Sequence, residues 1–343
     1  MPCSLTLLVP QLLWPEPQDA YAWDSLPMPA LERLLAQGRL LRQESRAWED
    51  ALLDCLSEPE RRPARLRRRG EADAPTELDG CWLCADPVHL KFHHERVVLA
   101  DGSAFPLTQE ESAALIDALN REFGDLGQFE APHPQRWYLQ LNTALDYTAP
   151  PLSAVAGRTL EFPENGDASR VKRWLNEIQM FLHAHPVNQA RAARGQPPVN
   201  GLWLWGSEET GDRPRFSFVP IFSGIWSNQP LAIGLARAAN ITQHPDAIDL
   251  GHVLAHAAPG SHHLVVLDSL LTPALYEDST GWREALLALE ARWFAPLAAG
   301  KARVTLIAPT RYGLLRCDWE PLARFKFWHR LQPLAALARS LAQ

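Results

Sequence analysis

The sequence predicts an α/β protein, a doubly wound and mostly parallel sheet into which a smaller α+β unit is inserted. Three observations carry this. Short runs apolar on both faces, residues 4–9, 262–267 and 302–307, suit strands covered by helices on both sides of a parallel sheet. From Leu202 onward, strand-like runs alternate with helix-period segments. Between Cys81 and Pro163 that alternation is lost, and strand, helix and strand patterns follow one another.

Taken in order, residues 4–9 form a buried strand ended by Pro10, and Leu31, Leu34 and Leu35 mark a helix closed by Gly38. Residues 58–80 lose apolar periodicity and carry Arg61, Arg62, Arg65, Arg67, Arg68 and Arg69 beside Pro59, Pro63 and Pro75. This reads as an exposed linker, because Glu58, Glu60, Glu71 and Asp73 offset much of an anion-binding field. Residues 82–105 alternate as strands, with a turn at Asp101-Gly102. Thr108 and Glu111 then make a capping box that opens a helix running through Phe123, and residues 136–141 return to strand character. The strongest helix places Val171, Trp174, Leu175, Ile178, Phe181 and Leu182 on one face and ends at His185-Pro186, since a residue before proline resists helical geometry. Strands at 202–205 and 216–219, a helix at 231–239, a strand at 262–267, a helix at 282–297 and a strand at 302–307 complete the pass. The expected division is a core of residues 1–80 and 166–343 around an insertion of residues 81–165. The strands at 5–9, 264–267 and 304–307 are expected as neighbours at its centre, flanked by helices 29–38, 170–184 and 282–297.

With 33 Lys+Arg against 40 Asp+Glu the formal charge is −7, which argues against a basic nucleic-acid binder. A hydrophobic fraction of 46% supports a sizeable core. No apolar run is long enough for a membrane span, and the first ten residues lack a basic start and a small-residue cleavage site, so a soluble cytoplasmic protein is expected. Five cysteines are too sparse for a disulfide framework.

Several catalytic motifs are absent. There is no GxSxG, Walker A or GxGxxG sequence. Cys81 and Cys84 form a lone CxxC without a second ligand pair, and the nearby His89, His93 and His94 do not complete one, since His93 and His94 face opposite sides of a strand. His252 and His256 share a helical face, but Val253 stands where a zinc protease needs its general-base Glu. The densest polar constellation runs from Leu175-Asn-Glu177 through His183-Ala-His-Pro-Val-Asn188, Arg191 and Gly195 to Pro197-Pro-Val-Asn200. Such a cluster concentrates anion and hydrogen-bond partners at one rim, or else supplies caps and turns.

That stretch resembles the HPVN-x-x-R-x-x-x-G-x-x-P-[AV]-N segment of the archaeal-type cofactor-independent phosphoglycerate mutases of the alkaline-phosphatase superfamily. A closer resemblance is to RpfE-type bacterial regulatory proteins, distant relatives of those mutases, through Ala85-Asp-Pro-Val-His-Leu90, Arg136-Trp-Tyr-Leu139, the LNEIQM run and Leu202-Trp-Leu-Trp-Gly206, with Gly201 where Ser is more usual. The resemblance implies an alkaline-phosphatase-like fold. It also implies metal ligands at three strand ends, and there this sequence departs from the pattern. It has Pro10-Gln11 in place of an Asp, no Asp-x-x-x-His pair over residues 264–276, and Thr310-Arg311 in place of Asp-His.

The expectation is therefore a pseudoenzyme, a mutase-like regulatory or ligand-binding protein with no metal and no cofactor. Its candidate ligand residues are His185, Asn188, Arg191, Asn200 and Arg311. The first four are expected to converge on one pocket, with a phosphorylated or carboxylated small molecule and an unidentified protein as partners, and neither nucleic acid nor membrane. The alternative is an active metal-dependent phosphomutase or phosphatase with a rearranged site drawn from Asp268, His262, His263, Asp249 and His252.

Overall fold

Runs that are apolar on both faces take the middle of the sheet. The computed structural model describes residues 3–342 except 57–61, 76, 94–95, 208–221 and 327. The expected strand at 216–219, the acidic Glu58 and Glu60, and His94 lie outside the described residues. The strands are β1 (Ser4–Leu8), β2 (Arg39–Gln43), β3 (Cys81–His93), β4 (Arg96–Ala100), β5 (Gly127–His133), β6 (Arg136–Leu141), β7 (Gly201–Trp205), β8 (Gly224–Trp226), β9 (Thr242–His244), β10 (His262–Val266), β11 (Arg303–Thr310) and β12 (Gly313–Trp319). The chain divides into two units, Met1–Ser57 with Arg215–Gln343, and Glu58–Pro214.

In the first unit, seven strands run in the order β2-β12-β11-β1-β10-β8-β9. β1 pairs parallel with both β10 and β11, so the three runs expected at the centre are neighbours there. β8 and β9 extend the parallel part, and the antiparallel β12 and β2 close the other edge. One core cluster joins Leu5, Leu7, Val265, Val304 and Leu306 to Leu31, Leu34 and Leu35 of the helix Pro29–Gln37 and to Trp282 and Leu286 of the helix Ser279–Leu289. Gly38 does end the first of these helices, but with extended backbone at φ −77°. Space is what selects glycine there, because a Cβ would fall 2.5 Å from Cys317 Sγ and 2.9 Å from Leu34 O. The expected helix at 282–297 is broken by a π turn, Glu290–Phe294, before the helix Ala295–Ala299.

The second unit is wider than the expected insertion. Residues 58–80 and 166–214, expected in the core, belong to it, and strand pairing is the reason. β7 pairs with β3 in a five-stranded antiparallel sheet with β4, β5 and β6, and the helix Ala168–Ala184 packs on β7. The Leu202-Trp-Leu-Trp205 run is therefore no strand of the parallel sheet, and that helix flanks a different one.

The arginine-rich stretch also departs from expectation, since much of it is the helix Pro63–Arg69, seated on β3 by its charges. Arg67 Nη1 donates to both oxygens of the fully buried Asp86 at 2.9 Å, and its guanidinium lies over the rings of Tyr138 and Trp205. Arg68, 5% exposed, reaches Glu130 at 2.8 Å and Asp73 at 3.0 Å. Residues that look solvent-facing by composition are buried because each finds a carboxylate. Burial disfavours the Arg67 cation, but Asp86, Tyr138 and Cys84 together outweigh it and hold it protonated.

Candidate functional site

In parallel sheets, ligands are bound beyond the carboxyl ends of the strands. In the first unit that edge is built by the segments following β1, β10, β8 and β11. After β1 the chain continues through Val9 and Pro10 to Gln11, whose φ of +56° is in the left-handed region. The Gln11 backbone is clamped, with its N–H donating to Pro309 O at 2.8 Å and its C=O accepting from Trp282 Nε1 at 2.9 Å. Its side chain is not, for the buried Oε1 has no hydrogen-bond partner. Strain at a sparsely populated backbone position and an unused buried acceptor fall on the same residue.

After β10 comes Asp268, whose Oδ2 accepts from Gln229 Nε2. Burial raises the carboxyl above its usual range, and Asp246 adds to this while the Gln229 bond opposes it. Gln229 follows β8 and is held from behind, since Asn228 donates to Asp246 through its N–H at 2.7 Å and its side-chain amide at 2.8 Å. Sequence reasoning missed Asn228, Gln229 and Asp246. The available signal was a polar Ser227-Asn-Gln run directly between an apolar strand and the Pro230 that opens a helix. After β11, buried Thr310 donates to Gly313 O at 2.7 Å, and Arg311 pairs with Glu16 at 2.7 Å on the surface.

The five candidates for a rearranged metal site do not gather into one cluster. Asp268 lies past the carboxyl end of β10, while His262 and His263 begin that strand, about 20 Å away at the usual rise of 3.3 Å per residue. Asp249 is occupied as the N-cap of the helix Leu250–His256, accepting from His252 N at 2.7 Å. Among the described residues no group of three or more His, Cys, Asp or Glu is placed to hold a metal ion. Cys81 and Cys84 are free thiols three residues apart on β3 and so on opposite faces.

The four candidates of the second unit are committed to the frame rather than turned to a shared pocket. His185 caps the helix Pro186–Ala193, its Nδ1 accepting from Val187 N at 3.2 Å. Burial and then Arg121 hold its pKa below the usual histidine value. Asn188, 3% exposed, donates to Leu182 O at 2.8 Å and Val199 O at 2.7 Å and accepts from Val199 N at 2.8 Å. Asn200 accepts from Leu90 N at 2.6 Å and donates to Leu90 O at 2.9 Å, extending the β3–β7 ladder with a side chain. Arg191, 1% exposed, binds Pro197 O, Pro106 O and, at 2.6 Å, Glu111. The constellation is dense because it stitches three helices, two loops and a strand together. Arg311, the fifth candidate, lies in the other unit.

Fold and site thus define an α/β protein with its polar residues gathered beyond the parallel strands of one unit. Comparison with known proteins adds the following. A stretch of 153 residues, 43% of this chain, is 31% identical to 2,3-bisphosphoglycerate-independent phosphoglycerate mutase 2 of Methanothermobacter thermautotrophicus, of which it covers 37%. The match thus spans little more than a third of that relative's length. The PH0037 protein of Pyrococcus horikoshii shares the fold, with a TM-score of 0.53 and 12% identity over 98% of this chain and 92% of that one. A cofactor-independent phosphoglycerate mutase from Thermoplasma acidophilum aligns over the whole of both chains at a TM-score of 0.44 and 16% identity. No family model matches.

Proposed function

We propose that this chain is a catalytically degenerate, phosphoglycerate-mutase-like protein that binds a small molecule and acts in regulation, as the RpfE-type resemblance suggests. One observation supports this most. The three strand ends carry Gln11, the Asp268–Gln229 pair and Thr310-Arg311. Two-metal phosphoryl transfer needs several carboxylates or imidazoles around each ion. The residues at these ends do not fit two divalent ions, since Asp268 is bonded to a carboxamide, Asp246 behind it is taken up by Asn228, and Arg311 adds a guanidinium paired with Glu16. They suit recognition better. Gln11 Oε1 offers an acceptor to a ligand hydroxyl, Asp268 and Gln229 offer a paired polar wall, and the exposed Arg311–Glu16 pair is weak enough to yield to a phosphate or carboxylate.

The sequence identity to an archaeal mutase supports a second reading, an active metal-dependent phosphomutase or phosphatase. A coupled assay of 3-phosphoglycerate to 2-phosphoglycerate conversion, with manganese, magnesium or zinc supplied, separates the two. The degenerate reading expects no turnover above background, with a rise in Tm on adding 3-phosphoglycerate that Gln11→Leu and Arg311→Ala each diminish. Turnover abolished by chelation and by Asp268→Ala would refute it.

A further inference from the structure

At the β9 edge of the parallel sheet, four imidazoles surround one indole. His244 stacks on Trp226 with ring centroids 4.1 Å apart and planes 10° from parallel. His252 and His256 meet the same ring edge-on at 5.2 and 5.8 Å, and His263 lies at 6.3 Å. They come from β9, the helix Leu250–His256 and β10, around a residue of β8. Gly224 makes room for them, since a Cβ there would fall 2.8 Å from His263 Nδ1 and 3.1 Å from His244 Nε2.

The hydrogen bonds fix one ring as neutral. Trp226 Nε1–H can only donate, so His263 Nδ1, 3.2 Å away, accepts. His263 Nε2 then carries the proton and donates to Ser261 Oγ at 2.9 Å, and the Ser261 hydroxyl donates to Ala258 O at 2.7 Å. A doubly protonated His263 has no lone pair for Trp226, so protonation breaks this chain.

Among the described residues no neighbouring acid is placed to neutralise the group. Asp249 is the N-cap of the helix, Asp246 is bonded to Asn228, and the helix Pro230–Ala238, packed on β8 and β9, carries Arg237 as its charged residue. His262, beside His263 in sequence, bonds Thr6 Oγ1 at 2.9 Å. Among the described residues no carboxylate bonds any of the five imidazoles.

We propose that this cluster is an acid-sensitive latch: neutral imidazoles hold β9 and the helix Leu250–His256 around Trp226, and their protonation loosens that edge together with the Asp246–Asn228 bonds behind Gln229 and Asp268. One protonated ring on Trp226 gains cation–π attraction, but a second and third at these separations repel it and one another. The shifts of His244, His262 and His263 agree in direction. Burial pushes His262 down to about 4, aided by His263. Burial lowers His263 with help from His244, and lowers His244 with help from His256 and His252. A histidine whose pKa is depressed in the closed state favours that state above its free value near 6.5, and the opened state gains as pH falls below it. The inference does not rest on the proposed function.

Hydrogen exchange of the wild-type chain at pH 7.5 and 5.5, corrected for intrinsic rates, tests it. Each ring held neutral contributes up to about tenfold to opening at pH 5.5. Amides of residues 242–256 should therefore lose at least about tenfold in protection beyond the change in global stability read from the urea midpoints, while β1 and β11 lose only what that global change imposes. His244→Phe, which keeps the stacked ring, and the paired His252→Gln, His256→Gln variant should each reduce that loss. Unchanged wild-type protection, equal loosening of the whole sheet, or variants that respond like the wild type would overturn the latch. Titration of the histidine ring carbons in the wild-type chain gives a reading independent of the variants, with His244 and His263 expected below 6.5. Ordinary titration of both would equally overturn it.

Discussion

Asn188 and Asn200 use their carboxamides as peptide groups, each pairing with both the N–H and the C=O of one backbone residue, Val199 and Leu90 respectively. Removing such a group leaves buried backbone polar atoms unpaired, at about 1–3 kcal/mol for each. Asn188→Ala is expected to cost about 3 kcal/mol or more, read from the urea midpoint. Arg191→Ala should cost a comparable 3–5 kcal/mol, because Glu111 and two carbonyls lose a buried cationic donor. Neither substitution should weaken a ligand held by the other unit, which separates frame from site. Asp268 is the opposite case. Its pKa is raised by burial, so its contribution to stability is present below the ordinary carboxylate value and is lost as pH rises through the raised one. Asp268→Asn keeps a partner for Gln229 without the charge and should raise Tm at pH 7, an advantage that disappears below pH 4. A lower Tm at pH 7 would mean that the ionised form is stabilised in the fold.

At the scale of elements, the helix Pro29–Gln37 shows how a missing local signal is supplied from far away. Met28 at its N-cap position makes no side-chain cap. Instead Glu290 Oε1 accepts from Ala30 N at 2.6 Å and Oε2 from Leu31 N at 3.1 Å. A carboxylate on the first-turn N–H groups satisfies two orphan donors and complements the helix dipole. Glu290 begins the π turn of its own helix and is 8% exposed. Glu290→Ala should cost about 2 kcal/mol, with faster amide exchange in the first turn of Pro29–Gln37 as the local sign. Glu290→Gln, which keeps one acceptor, should recover part of that loss. The capping box of Gln109–Glu122, by contrast, is fully local, and Thr108 and Glu111 form it as their spacing predicts.

For the whole molecule, pH is the variable that sums many small effects. Burial is the leading cause of the lowered pKa values of His133, His185, His244, His262 and His263. Each stabilises the folded chain fully above about 6.5, and stability falls as pH drops toward each folded value, to about 4 for His262. Glu71, held low by Arg136 and Tyr138 despite its burial, adds a further loss below the carboxylate range. Urea midpoints are therefore expected to decline from pH 7.5 through 5.5 to 4.5. A flat profile over that interval would show these rings to be as exposed as in the unfolded chain. Among the described residues no helix is long and apolar enough to cross a membrane.

The sequence by itself determined the strands that occupy the middle of the sheet and most helix limits. Residues 4–9, 262–267 and 302–307 carry apolar side chains on both faces of the strand, and such segments lose water only between two helical layers. His185-Pro186 ended a helix through sterics alone. Other features depended on partners distant in the chain, which periodicity does not encode. Arg67 and Arg68 read as solvated until Asp86 and Glu130 were placed beside them, and β7 read as a parallel strand until it paired with β3. The candidate site divided in the same way. Its polar residue types were visible in the 175–206 run, but whether a carboxamide faces a ligand or a backbone carbonyl is set by tertiary packing. Packing sent Asn188 and Asn200 to backbone, left Gln11 Oε1 without a partner, and gathered His244, His252, His256 and His263 around Trp226.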